Sequence, residues 1–123
     1  MSDRKKALVA DDVEANRTML KTFLYFAHFD SELAADGLEA RRLLEGKSFD
    51  LVVTDIEMPN MNGFELLAWI KKTPAVAKTP VIVLSSLESP DVLERCKKPG
   101  AADYIVKPFS KEKVEAALAK AGF

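Results

Sequence analysis

Short apolar runs recur along the chain and predict its strands. Four are clear, at residues 7–10, 51–54, 81–84 and 104–106, and a weaker one covers residues 32–35. Continuous apolar runs of this length, rich in β-branched residues, are typical of strands buried on both faces of a parallel sheet. The pattern therefore predicts five strands, of which the second is the least certain in its limits.

Segments with helical periodicity lie between these strands. Their predicted inner faces are Met19, Leu20, Phe23, Leu24 and Ala27 in the first, Phe64, Leu67 and Ile70 in the third, and Val114, Ala117, Leu118 and Ala121 in the fifth. The second helix is expected near residues 38–44. Asn62 and Glu65 form a capping-box pattern before the third helix, and Ser89-Pro90 and Ser110 are start signals for the fourth and fifth. Residues 71–80 are predicted to be a solvated loop.

Strand and helix alternate five times, which favours an α/β domain with a parallel sheet and right-handed crossovers. The chain has 123 residues, about the size of one ordinary domain. It contains no internal repeat, low-complexity tract or linker. We therefore expect a single domain over residues 1–123, with no output domain.

Charge and composition exclude several classes of protein. The formal net charge is −1, whereas a domain that binds DNA phosphates is usually markedly basic. Apolar runs are too short to span a membrane, and the N-terminus does not resemble a signal peptide. The only cysteine, Cys96, cannot form an internal disulfide. We therefore expect a cytoplasmic protein that binds neither nucleic acid nor membrane directly.

Polar side chains follow four of the predicted strands, where ligands bind in open α/β sheets. They are Asp11, Asp12, Asp55, Ser85, Ser86 and Lys107. Two carboxylates about 4 Å apart repel by roughly 4 kcal/mol at an effective dielectric constant near 20. Protonation of one acid would relieve this repulsion, and so would a hard cation such as Mg²⁺. A carboxylate beside Mg²⁺ and a lysine can also act as a nucleophile and form an aspartyl phosphate.

Taken alone, Asp11 and Asp12 could instead be N-caps of the first helix.

Four motifs occur in an order that is similar to one known family. The segments "LVADD", "LVVTDIEMPNMNGFELL", "TPVIVLSS" and "GAADYIVKPF" resemble the receiver domain of bacterial response regulators, the CheY-like family. The resemblance covers essentially the whole chain. It implies a flavodoxin/CheY-like doubly wound fold, in which five helices flank a parallel sheet of strand order 2-1-3-4-5.

The resemblance implies a metal-dependent phosphoacceptor. Asp55 would receive the phosphoryl group, and Asp12, Asp55 and the backbone carbonyl of Glu57 would bind Mg²⁺ or Mn²⁺ directly. Asp11 would act mainly through water. Glu57 and Leu87 are expected to tune the lifetime of the phosphate. Such a protein is a switch rather than an enzyme, with only self-phosphorylation and slow autodephosphorylation.

The resemblance also implies how the switch works. Lys107 would contact the phosphoryl group, and its peptide bond to Pro108 is expected to be cis. Ser85 would be the switch hydroxyl and Tyr104 the switch aromatic, which turns inward when Ser85 moves to the phosphate.

The implied partners are proteins. A sensor histidine kinase or histidine phosphotransfer protein would donate the phosphoryl group, in a chemotaxis or phosphorelay pathway. A downstream protein would bind the surface of the fourth helix, fifth strand and fifth helix, roughly residues 90–98, 103–106 and 111–121. The protein is expected to be a monomer, with a phosphorylation-induced dimer as an alternative.

Other functions fit less well. The chain could be a receiver excised from a longer transcription factor or hybrid kinase. A phosphatase of the haloacid-dehalogenase type would require Asp and Thr where this chain has Glu57 and Pro59. The glycine motifs of P-loop NTPases and Rossmann dehydrogenases do not occur in the sequence.

Overall fold

The computed structural model describes residues 4–86 and 90–123, and these alternate between strand and helix as predicted. The elements are β1 (Lys5–Ala10), α1 (Glu14–Phe26), β2 (Phe29–Ala34), α2 (Gly37–Gly46), β3 (Leu51–Asp55), α3 (Gly63–Lys72), β4 (Val81–Ser85), α4 (Pro90–Lys97), β5 (Asp103–Val106) and α5 (Lys111–Lys120).

The five strands form one parallel sheet in the order β2-β1-β3-β4-β5. The expected fold class and strand order are therefore confirmed. In the register of the sheet, Ala10 of β1 lies opposite Thr54 of β3, and Ser85 of β4 lies opposite Val106 of β5. The residues that follow these positions consequently meet at one edge, which is where the polar strand ends were expected.

Alternate strand residues face two separate cores, one on each side of the sheet. Leu8 and Val52 pack with α2, α3 and α4 on one side. Val9 and Val53 pack with α1 and α5 on the other. Because β1, β3 and β4 are covered on both faces, their apolar runs have no polar alternation. Among the described helices, none combines the length and hydropathy that crossing a membrane requires.

Helix starts agree with the sequence where they can be compared. Asn62 and Glu65 form the predicted capping box at α3, and the Ser110 hydroxyl accepts from the Lys113 amide at 3.1 Å. The predicted cap Ser89 lies outside the described residues.

Three sequence expectations need correction. β2 starts at Phe29, three residues before the predicted run, because polar residues occupy the middle of this edge strand. Met19 is not on the inner face of α1 but 41% exposed. Residues 71–80 are not simply a solvated loop, since α3 continues to Lys72 and Val76 is buried in a core.

Gly63 at the start of α3 allows close packing against the end of β3. Its amide donates to the Ile56 carbonyl at 2.8 Å. A Cβ at this position would lie 2.1 Å from the Asp55 carbonyl oxygen, and backbone atoms cannot move aside easily. This glycine therefore keeps α3 close to the functional edge of the sheet.

We expect Gly63→Ala to lower the free energy of unfolding by about 3 kcal/mol, because the added methyl group overlaps backbone. Gly46→Ala is the matched control, since a Cβ at Gly46 would have nothing within 4 Å. Alanine favours the helix there and should stabilise the protein by about 0.5–1 kcal/mol. Urea denaturation measures both effects, and similar stabilities for the two variants would contradict the packing role of Gly63.

Candidate functional site

Three carboxylates meet at the carboxyl edge of the sheet, as predicted. Asp11 follows β1 and Asp55 ends β3, so the β1–β3 register places them side by side. Together with Asp12 they offer one oxygen atom each, all within 4.8 Å of one another. Asp11 is fully buried and Asp55 is 4% exposed, whereas Asp12 is exposed. Burying two carboxylates this close together is costly unless positive charge or hydrogen-bond donors offset their negative charges.

Lys107, which follows β5, supplies part of that compensation. Its Nζ lies 3.0 Å from Asp55 Oδ2 and 3.7 Å from Asp11 Oδ2. Its backbone amide donates to the Ser85 carbonyl at 2.7 Å, which fixes the start of the β5–α5 connection against β4. The expected cis bond to Pro108 is confirmed.

The side chain of Asp11 is held by the first turn of α1. Its carboxylate accepts from the Val13 amide at 2.9 Å and from the Asn16 side-chain amide at 3.3 and 3.4 Å. Arg17 donates to the Asp11 carbonyl at 2.7 Å. The N-cap residue of α1 is Val13, so the alternative that Asp11 or Asp12 is merely that cap is wrong.

Asn16 and Arg17 belong to the surroundings of the site, and the sequence analysis did not identify them. Both lie in "DDVEANR" and are only partly exposed. The sequence signal that could have identified them is their spacing: two polar residues follow the acidic pair after about one helical turn, on the side of α1 that faces the sheet edge.

Burial dominates the electrostatics of Asp55. It raises the pKa of this carboxyl above 3.8, and the nearby charge of Asp11 raises it further. The hydrogen bond from Lys107 lowers the pKa but does not reverse the shift. The Ile56 amide also donates to Asp55 Oδ1 at 2.9 Å. One ammonium group therefore offsets only part of the cost of two buried carboxylates.

The donor set fits a hard divalent cation. It consists of carboxylate oxygens on Asp11, Asp12 and Asp55, the ligand type that Mg²⁺ and Mn²⁺ prefer. The exposed position of Asp12 leaves room for water molecules, which Mg²⁺ gives up reluctantly. A cation here would also offset the charge that Lys107 leaves uncompensated.

The two predicted switch residues lie on adjacent strands. Ser85 is 4% exposed and ends β4. Tyr104 lies on β5, where its ring packs against the core on the α2–α3–α4 side. The Tyr104 hydroxyl is buried and finds no hydrogen-bond partner among residues 4–86 and 90–123. An unpaired buried hydroxyl is costly, which favours a side chain that can adopt another position.

The proposed tuning residues are only partly described. Glu57 is exposed in the β3–α3 loop, whereas Leu87 lies outside the described residues. A cleft of about 450 Å³ opens beside Ser85 and the loop. It is lined by Ile56, Glu57, Met58, Asn62, Phe64, Ser85, Val92 and Arg95.

Without divalent cations, Asp55→Asn is expected to raise the free energy of unfolding by about 1 kcal/mol at neutral pH. The folded pKa of Asp55 lies above 3.8, so the folded protein holds this proton more tightly than the unfolded chain. Ionisation therefore opposes folding, and the gain should be small near pH 4 and grow as the pH rises through the folded pKa. Urea denaturation in EDTA at both pH values measures it.

Asp30→Asn is the control for this prediction, because Asp30 is an exposed carboxylate paired with Arg4. It should leave stability unchanged or slightly lower. An Asp55→Asn variant no more stable than wild type at neutral pH would contradict the assigned electrostatics.

Tyr104→Phe is expected to raise the free energy of unfolding by about 1 kcal/mol, because it removes a buried hydroxyl that lacks a partner. Tyr25→Phe is the control. Tyr25 is 56% exposed, so removing its hydroxyl should change the free energy of unfolding little. Thermal and urea denaturation compare the two. Destabilisation by Tyr104→Phe would show that the hydroxyl is hydrogen-bonded in the folded protein.

Similar folds are known among response regulators. A chemotaxis response regulator, CheY4 of Vibrio cholerae, is 32% identical, with a TM-score of 0.89 over 96% of this chain and 98% of that one. The receiver domain of Francisella response regulator 1452 is 34% identical, with a TM-score of 0.85 over 96% and 97% of the two chains.

Curated relatives are longer proteins. The gliding motility regulatory protein of Myxococcus xanthus is 39% identical over 104 residues, which is 85% of this chain but only 13% of that protein. The hypothesis that the chain is part of a longer regulator therefore stays open.

The family comparison agrees with the geometry of the site. The model of the response regulator receiver domain matches residues 7–119, which include all of the acidic cluster and Lys107. Receiver domains are phosphoacceptor switches of two-component signalling, and this is the function that the sequence resemblance implied. The chain belongs to the response regulator receiver domain family.

Proposed function

We propose that Asp55 is the phosphoacceptor of this receiver domain and that a sensor histidine kinase or histidine phosphotransfer protein is the donor. The observation that carries the proposal is the position of the Asp55 carboxylate. It lies at the end of β3, 3.0 Å from Lys107 Nζ and within 4.8 Å of two further carboxylates. The side chains of Asp11, Asp12, Ser85 and Lys107 would then bind the cation or the phosphoryl group at this acceptor.

In the proposed transfer, an Asp55 carboxylate oxygen attacks the phosphorus of a phosphohistidine. The P–O bond forms as the P–N bond breaks, and the electron pair of that bond leaves with the imidazole nitrogen, which takes up a proton. Lys107 offsets negative charge on the transferring group. A bound divalent cation would supply the rest of that charge compensation.

The proposed metal ligands are Asp12, Asp55 and the backbone carbonyl of Glu57, with Asp11 acting mainly through water. The separation of the carboxylates supports this assignment. So does the burial of Asp11, whose oxygens already accept hydrogen bonds from Val13 and Asn16. Mg²⁺ retains several waters when few carboxylates bind it directly, in keeping with an Asp11 that contributes through water.

Ser85 and Tyr104 are the proposed switch. A phosphoryl group adds about −1.5 to −2 charges, and the Ser85 hydroxyl would donate to one of its oxygens. Val83 and Tyr104 are register partners on β4 and β5, so movement at the end of β4 is close to the tyrosine. Tyr104 also lines two clefts on the surface of α4, β5 and α5. Its rotation would therefore alter the surface proposed to bind the downstream protein.

The named relatives support a motility-type pathway. One is a chemotaxis response regulator and another is a gliding motility regulatory protein. We propose a downstream protein target in such a pathway, reached through α4, β5 and α5. We further propose that Glu57 and Leu87 tune the lifetime of the phosphate.

The proposal predicts one phosphoryl group on the wild-type protein after incubation with acetyl phosphate and Mg²⁺. Intact-mass spectrometry should show this adduct, and it should be absent without Mg²⁺ and absent in Asp55→Asn. Asp50→Asn, which removes an exposed carboxylate at the opposite end of β3 that accepts from the Lys6 amide, should be modified like wild type. Lys107→Met should slow the reaction about 100-fold.

A short-lived phosphate could leave no adduct on the wild type. Beryllofluoride, which mimics the phosphoryl group without hydrolysis, should then bind wild type and not Asp55→Asn. If neither reagent modifies or binds the protein, or if Asp55→Asn still takes up the phosphoryl group, the acceptor assignment is wrong.

A further inference from the structure

The loop that follows β3 is closed by two backbone hydrogen bonds. The Gly63 amide donates to the Ile56 carbonyl at 2.8 Å and so joins the two ends of residues 57–62. Near the tip, the Met61 amide donates to the Pro59 carbonyl at 2.7 Å, around Asn60 with φ 67°. A bond between residues two apart around a positive φ is a tight and strained γ-turn. The 57–62 loop therefore needs outside contacts to hold one conformation.

Those contacts come from the start of α2. The side-chain amide of Asn60 donates to Asp36 Oδ2 at 2.7 Å, and the Gly37 amide donates to the Met61 carbonyl at 3.0 Å. A Cβ on Gly37 would lie 2.1 Å from that carbonyl oxygen, so the two segments are in close contact. The tip of the 57–62 loop is thus attached to the β2–α2 turn, 24 residues away in sequence.

Asp36 uses its two carboxylate oxygens for two different tasks. Oδ1 accepts from the Glu39 amide at 2.8 Å and caps α2. Oδ2 accepts from Asn60. Two hydrogen bonds hold the pKa of Asp36 below its ordinary value: the one from the Glu39 amide has the larger effect, and the one from the Asn60 side chain adds to it. The carboxylate is therefore charged at neutral pH, and a charged acceptor makes a stronger hydrogen bond.

We propose that Asp36 is a positioning residue for the metal site: through Asn60 it holds the 57–62 loop, and with it the Glu57 backbone carbonyl, in the position that cation binding requires. This inference rests on the proposed function, in which that carbonyl is a metal ligand. Mg²⁺ demands near-ideal octahedral geometry, so a loop that drifts from its position loses affinity. Neither Asp36 nor Asn60 touches the metal in this account.

Coupling of this kind is reciprocal. If the link between Asp36 and Asn60 favours cation binding, then cation binding must favour the link. The amides of Gly37 and Glu39, which depend on that arrangement, should exchange with solvent more slowly when Mg²⁺ is bound. A purely structural cap on α2 would show no such response.

Two variants separate the link from the helix cap. Asp36→Ser keeps an N-cap side chain for α2 but removes the acceptor for Asn60. Asn60→Gly keeps the positive φ but removes the amide donor. Each should weaken the binding of Mn²⁺ alone, measured by electron paramagnetic resonance, by about three- to tenfold. The double variant should bind no more weakly than the single ones, because both remove the same interaction.

Thr73→Ala is the matched control. It also removes one side-chain hydrogen bond at a helix end, from Thr73 Oγ1 to the Trp69 carbonyl at 2.6 Å, but at the far end of α3. Its Mn²⁺ affinity should equal that of wild type. Hydrogen exchange supplies the second measurement: Mg²⁺ should slow the Gly37 and Glu39 amides in wild type and fail to do so in Asn60→Gly.

The outcomes distinguish this inference from the proposed function. If wild type binds no Mn²⁺, the proposed metal site itself is wrong. If wild type binds Mn²⁺ and both variants bind it equally well, the positioning role of Asp36 is overturned and the metal site stands. Weakening by Asp36→Ser without weakening by Asn60→Gly would also overturn it, since the effect would then come from the cap of α2.

Discussion

Two buried carboxylates, Asp11 and Asp55, lie side by side at the ends of neighbouring strands, and the ammonium group of Lys107 faces both of them. Lys107 lies 3.0 Å from one and 3.7 Å from the other, yet the pKa of Asp55 remains raised by burial. The folded protein therefore carries an uncompensated negative charge at this edge. A site in that condition gains from any positive charge that binds there.

Backbone contacts position the strand ends and loops that carry this arrangement. Parallel pairing brings the strand ends to one edge, and Gly63 lets α3 approach the Asp55 carbonyl. The Lys107 amide is fixed to Ser85. Both cores lie to the sides of the sheet, so the edge remains free for ligands. The two cores and the acidic edge therefore occupy different parts of the molecule, and they adjoin where β3 ends.

Much of this could be predicted from the sequence, because apolar runs and polar strand ends are local signals. Strands covered on both faces have unbroken apolar runs, and the residue after each run lies at the functional edge. The start of β2 was missed because an edge strand tolerates polar residues such as Asp30. The burial of Val76 was missed because one apolar residue in a polar turn has no periodicity.

Long-range polar contacts left even less trace in the sequence. Asp36 and Asn60 are both typical turn residues, and nothing in either turn shows that they bond to each other. The same holds for Asn16, whose contact with Asp11 depends on how α1 leaves the sheet. Such pairs become visible only when the register and the helix directions are known, because single polar residues carry no pattern.

Burial outweighs Lys107 at Asp55 in the cation-free protein, and a bound cation would reverse that balance. The most direct test is an NMR titration of the Asp55 side-chain carboxyl carbon, with and without Mg²⁺. We expect a pKa above 3.8 in the absence of the cation and a marked fall when Mg²⁺ is added. An Asp55 pKa at or below that value in the cation-free protein would show that Lys107 alone compensates the site and that burial does not dominate there.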